Sequence, residues 1–238
     1  MNYNMLSKDE VIENFTLATV ACDKTIQSLR SQQIKEGDAR LSFYYKIRTL
    51  YNMFRLNYEF YDKYLLTRKF FDENNPDHIM SDKNMTKLCD EYDIFTRSTF
   101  ITEFYSAFES SFRVIIQAID SDYYDKNKRY FTVMAKKILN DFKLQEESEL
   151  IRHFSLIRNS VHSNGLFDPI DGKNQTIHYR GKDFLYEVGK PIQYAGWTDL
   201  LSILKLIHFL FYTVISNSKV QNISFIKEPA SDFWSKLD

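Results

Sequence analysis

The sequence predicts an all-α helical bundle with one β-hairpin inserted before the last long helix. Three observations lead there. Only 6 Gly and 4 Pro punctuate the 238 residues, too few for the many turns of an all-β fold. Apolar residues recur three or four apart over long runs, the period of a helix with one buried face. Residues 167–191 break that period with the turn signals Asp168-Pro169 and Asp171-Gly172 and two short β-prone runs.

The first helix is expected from Lys8 to Gln33, with Val11, Phe15, Ala18, Cys22, Ile26 and Leu29 on its buried face. Ser7 and Glu10 have the spacing of a capping box, in which each side chain accepts from the other residue's backbone N–H. Gly37 and Asp38 end the pattern. A second helix, Arg40 to Thr67, carries a wide stripe of Tyr44, Ile47, Tyr51, Phe54, Tyr58, Tyr61 and Leu65. Asp72 to Asn84, built around Asn74-Asn75-Pro76-Asp77, reads as a loop.

Asp90 to Asp120 is expected as a long helix with Phe100, Phe104, Phe108, Ser111, Ile115 and Ala118 on one face. Tyr123 to Lys128 reads as a polar connection and Tyr130 to Asn140 as a shorter helix. Leu144 to Asn164 follows, with Gly165 as the left-handed residue after its C-cap. In the hairpin, Thr176–Tyr179 and Phe184–Val188 are the strands and Arg180-Gly181-Lys182-Asp183 the turn. The last helix, Thr198 to Asn217, is apolar on nearly every side. It contains Lys205 and His208 and is shorter than a usual bilayer span, which predicts a buried central helix rather than a membrane helix.

A hydrophobic fraction of 44% and a charged fraction of 26% describe an ordinary globular chain, long enough for one core. The expected organisation is a single helical domain, 1–238, with a separate helical part over 1–90. Net charge is −1, so bulk charge does not announce nucleic-acid binding. An RNA backbone contact has to come from a local patch, for which Lys126, Lys128, Arg129, Lys136 and Lys137 are candidates. The abundance of Phe and Tyr reads first as core filling. Cys22 and Cys89 are too few for a disulfide framework and fit a reducing compartment. Met1 to Glu10 holds neither a basic nor an apolar run, so no signal peptide is expected and the location is taken as cytoplasmic. No Cys pair has metal-ligand spacing and no Gly-rich phosphate loop is present, so neither metal nor cofactor is expected.

The sharpest local feature is Ile157-Arg158-Asn159-Ser160-Val161-His162-Ser163-Asn164-Gly165. Leu150, Phe154, Ile157 and Val161 define the core stripe of its helix. At about 100° per residue, Arg158 lies roughly 70° and His162 roughly 110° from the stripe centre. Both sit at one edge of the buried face, one turn apart, and can approach the same ligand. Asn159, about 170° round, is better placed to cap or to touch a second chain than to share that pocket.

A helix ending in Arg-Asn-x-x-His resembles the hallmark of HEPN domains. The segment Phe104-Tyr105-Ser106-Ala107-Phe108-Glu109-Ser110-Ser111-Phe112 is similar to their earlier helix, where an acidic residue often lies near the site. The resemblance covers 96–218 and includes the 167–191 hairpin as an insertion. It implies a helical bundle acting as a homodimer, and a metal-independent endoribonuclease of a prokaryotic defence or toxin system. RNA is then the substrate, and an antitoxin or other partner protein is implied. Arg158, Asn159 and His162 occupy the motif positions, and Glu109 is carried over as a positioning acid. The family places four to six residues between Arg and His. Here there are three.

The same residues admit a purely structural role. Arg158 can pair with Glu109 or Glu103 to hold two helices together, and His162 can bond the last carbonyls of its own helix. A catalytically inactive helical module that binds a partner protein or nucleotide is therefore the second expectation.

Overall fold

The computed structural model describes residues 6–65, 67–74, 81–127 and 130–229. Helix α1, Lys8–Ser31, opens on the expected capping box: the Glu10 N–H donates to Ser7 Oγ at 3.3 Å and the Ser7 N–H to Glu10 Oε2 at 2.7 Å. Its apolar stripe is buried, with Ala18 at the margin. Asp38 caps α2, Ala39–Phe60, which continues into a π-helical turn, Tyr61–Leu65. The α2 stripe is buried from Tyr44 to Tyr61, while the Leu65 side chain lies outside the described residues.

Two segments expected as irregular are partly helical. Helix α3 spans Arg68–Asn74, and Ser81 caps the next helix by accepting from the Asn84 N–H. The loop read over Asp72 to Asn84 is therefore confined to the interval between them, of which 75–80 lie outside the described residues. The polar connection after Tyr123 is helix α5, Ser121–Asn127, started by Asp120, whose Oδ1 accepts from the Tyr123 N–H.

Helix α4, Asp82–Ile119, is the spine of the bundle, with 38 residues or about 57 Å of axis. Phe100, Phe104, Phe108 and Phe112, one turn apart, are all fully buried. Phe100 meets Phe15 of α1, Phe104 meets Phe154, and Phe108 meets Phe131, at centroid distances of 5.2, 6.1 and 5.9 Å. Such tilted and edge-on aromatic pairs add to the energy of area burial. Ala118, read as part of this face, is instead exposed, while Ile115, Ile116 and Ile119 keep the last turn on the core. One hydrophobic core runs through the chain, from Val11 to Ile226.

Helices α6, Phe131–Asp141, and α7, Glu147–His162, form the second layer on α4. The hairpin follows as β1, Gln175–Tyr179, and β2, Lys182–Tyr186. Its turn has two residues, not four. Arg180 and Gly181 both have positive φ, 50° and 72°, so Lys182 and Asp183 already belong to the second strand. The hairpin docks on α7. Tyr186 Oη lies 2.7 Å from His153 Nδ1, and Arg152 donates to Gln175 Oε1 at 2.8 Å.

Helix α8, Trp197–Ile215, has the length and hydropathy to cross a membrane, the only described helix that does. Here one face packs into the bundle, with Leu200, Ile203, Leu204, Ile207, Leu210 and Phe211 buried, while Ser202, Lys205 and Phe209 stay exposed. A short α9, Ser218–Gln221, precedes a tail that docks on the start of α2. The Ile226 N–H donates to Asp38 Oδ2 at 3.1 Å, and the Ala39 N–H donates to the Ile226 carbonyl at 2.8 Å.

Candidate active site

The C-terminal half of α7 carries the motif. Its inner face, Leu150, Phe154 and Ile157, is fully buried and sets the rotation of the helix. The helix stops because two residues take left-handed backbone, Asn164 at φ 55° and Gly165 at φ 82°. The Gly165 N–H donates to the Ser160 carbonyl at 2.8 Å, the long bond of a Schellman stop. The C-cap is Ser163, so Asn164 takes the position expected for Gly165, and Gly165 stands one residue further on.

Arg158 is half-buried, with its guanidinium 5.3 Å over the ring of Tyr105 from α4. It donates from Nη1 to Asn159 Oδ1 at 3.1 Å. Its Nε is buried and makes no hydrogen bond with any described residue. Tyr105 is anchored beneath it. The phenol lies 2.8 Å from Ser155 Oγ, which itself donates to the Ile151 carbonyl at 2.8 Å, so the phenol is the donor of that pair. Burial pushes the Tyr105 phenol up to about 12. The Ser155 bond opposes this, the Glu109 charge adds to it, and the charges of Arg158 and Arg113 oppose it.

Glu109 does not meet Arg158 by any hydrogen bond or ion pair. Its carboxylate is taken one turn along its own helix by Arg113, from Nε at 2.8 Å and from Nη2 at 2.5 Å. Arg113 in turn lies over the Phe131 ring at 5.2 Å. Glu103, the other acid considered for Arg158, is exposed.

His162 is exposed in the last turn of α7 and bonds no described residue, including the helix carbonyls. Arg158, Asn159 and His162 all line one open cleft of about 710 Å³ between α7 and the chain leading to the hairpin. Asn159 thus shares the pocket from which the helical wheel displaced it, because the cleft wraps round the end of the helix. The same cleft is lined by Asp168 and Asp171, both exposed, and by Ile170, which stands fully in solvent. Among the described residues, no three His, Cys, Asp or Glu side chains converge as a metal site.

Sequence reasoning missed Tyr105 and Ser155. Tyr105 lay within a quoted segment, but nothing in its spacing marked it as the seat of Arg158. Of the basic cluster, Lys137 is paired with Asp141 at 3.0 Å and lies over Tyr123, while Lys128 and Arg129 lie outside the described residues. No family model, curated protein or solved structure matches the chain.

Proposed function

We propose that the protein is a metal-independent endoribonuclease of the HEPN kind, working in the cytoplasm as a homodimer in a prokaryotic defence or toxin system. The observation that carries this reading is the shared cleft. Arg158 and His162 lie one turn apart, face the same open space and are not closed off by a carboxylate of α4.

In this reading His162 takes the proton from a ribose 2′-hydroxyl. Imidazole suits that task near neutral pH. The freed oxygen attacks phosphorus, the bond to the 5′-oxygen breaks, and the His162 of a second copy, as imidazolium, protonates the leaving oxygen. The products are a 2′,3′-cyclic phosphate and a 5′-hydroxyl. Arg158 holds the non-bridging oxygens as negative charge builds on them. Asn159 fixes one arm of the guanidinium and Tyr105 fixes its plane. Glu109 acts only at a distance, through Arg113 and the field at Tyr105.

A second reading has its own support. Asp168 and Asp171 on the cleft wall repel a phosphate backbone, and the Arg-to-His spacing is one residue short of the family's range. Both features suit a catalytically inactive module that receives a basic or polar surface of a partner protein.

Incubation of the purified protein with total RNA and tRNA in EDTA separates the two. The nuclease reading expects cleavage to cyclic-phosphate ends, reduced at least about a hundredfold in the Arg158→Ala/His162→Ala variant. No cleavage of any RNA by a folded, dimeric wild type sinks it in favour of the module.

A further inference from the structure

A second concavity lies between α1 and α8 and shares no residue with the cleft of α7. It exists because α1 presents small side chains to α8 there. Ala18, Ala21, Thr25 and Ser28 leave a groove of about 600 Å³, within the range of small-molecule sites. Its walls are apolar: Leu17 and Phe209, each 60% exposed, form the lips, and Leu201 and Leu204 lie deeper.

Among the described residues, the charges lining the groove are all positive. Lys24 reaches it from α1 and Lys205 from α8, and neither makes an ion pair with a described residue. His208 lines it between them, with Nε2 3.3 Å from Thr25 Oγ1 and Nδ1 3.9 Å from Cys22 Sγ. Burial lowers the His208 pKa to about 4 and raises that of the Cys22 thiol to about 12, so this part of the wall is neutral at physiological pH.

An apolar trough flanked on both sides by unpaired lysines is complementary to one chemistry. We propose that the α1–α8 groove binds an anionic single-chain amphiphile, such as a fatty carboxylate. The acyl chain lies along Ala18, Ala21 and Leu204, and the headgroup meets Lys24 and Lys205. A second copy of this chain fits less well: an isologous contact centred on the groove gathers lysines from both copies where no carboxylate lines the wall.

The test is calorimetric titration of the full chain with dodecanoate below its micellar concentration, beside dodecyltrimethylammonium as the cation of matched tail. Saturable one-to-one binding of the carboxylate is expected, with the cation at least about tenfold weaker. Lys24→Glu/Lys205→Glu weakens dodecanoate binding about tenfold or more, and Ala21→Trp, which fills the trough, removes it. Thermal melts confirm that the variants fold. If the double variant does not, Lys24→Gln and Lys205→Gln singly carry the same expectation. Absence of saturable binding, equal affinity for anion and cation, or full binding by Ala21→Trp overturns the proposal. So does self-association that Ala21→Trp abolishes while dodecanoate fails to bind, which makes the groove a protein interface. Failure of dodecanoate to bind leaves the RNA-cleavage reading as it stands, because no groove residue lines the α7 cleft.

Discussion

Arg158 lies over the Tyr105 ring, a contact worth about 0.5–2 kcal/mol that orients the guanidinium without neutralising it. A carboxylate partner of the kind the sequence suggested would have held the side chain as firmly and cancelled its charge. Glu109 is diverted because Arg113 sits four residues on along the same helix, where side chains meet without any tertiary arrangement. A second residue-scale feature is His153 beneath the hairpin. It is 1% exposed, and the buried Tyr186 phenol, held well above its ordinary range, lies 2.7 Å from Nδ1 and 3.4 Å from the His153 carbonyl. Burial lowers the His153 pKa from the ordinary 6.5 to about 4, so the unfolded chain takes up a proton here before the folded one does. Stability is complete above about pH 6.5 and falls as pH drops toward 4, by about 3 kcal/mol for this residue across the window. Denaturant unfolding at pH 7 and pH 4.5 checks it: His153→Phe flattens the slope of stability against pH. An unchanged slope assigns the acid sensitivity elsewhere.

At the scale of the element, α7 is defined by how it ends. Asn164 and Gly165 turn the chain back, and the Ile192 N–H donates to the Gly165 carbonyl at 3.0 Å, tying the exit of the hairpin to the stop. The chain after the stop brings Asp168 and Asp171 to the same cleft as His162, so the stop shapes the cleft as well as the helix. A Cβ at Gly165 meets no atom within 4 Å, so the cost of a side chain there is one of backbone conformation alone. Gly165→Ala is expected to destabilise the protein by about 1–2 kcal/mol in chemical denaturation, with Gly165→Asn costing less. Equal stability of all three forms refutes the left-handed stop. The hairpin follows the same logic, since the positive φ of Arg180 and Gly181 sets a two-residue turn and with it the register Tyr179 to Lys182.

Across the whole molecule, a buried ion pair at the start of α2 receives the C-terminal part of the described chain. Asp38 and Arg40 are 0% and 2% exposed, joined from Nε to Oδ1 at 2.9 Å and from Nη2 to Oδ2 at 2.6 Å. Arg40 Nη1 donates to the Val220 carbonyl at 3.2 Å, and Asp38 accepts from the Ile226 N–H, so the pair fastens α9 and the tail to the α1–α2 corner. Arg40→Ala strands a buried carboxylate and is expected to cost about 3–5 kcal/mol, read as a lowered denaturation midpoint. The α1–α2 pair lies outside the reach of the family resemblance yet fills one side of α4 and α8, as Phe15 against Phe100 and Phe43 against Phe211 make plain.

The sequence by itself determined the all-α plan, the buried stripes, the α1 capping box, the place of the hairpin and the pairing of Arg158 with His162 on one helix edge. These follow from local periodicity, from propensity and from Gly and Pro, which act within a few residues. Tertiary structure decided that Tyr105 supports Arg158, that Asp168 and Asp171 line one cleft with His162, and that α1 and α8 leave a groove between them. Each depends on which of several chemically suitable neighbours the packing brings within hydrogen-bonding or van der Waals reach. Tyr105 and Arg158, and the facing residues of α1 and α8, lie tens of positions apart or more, and no repeat in the chain encodes their contact.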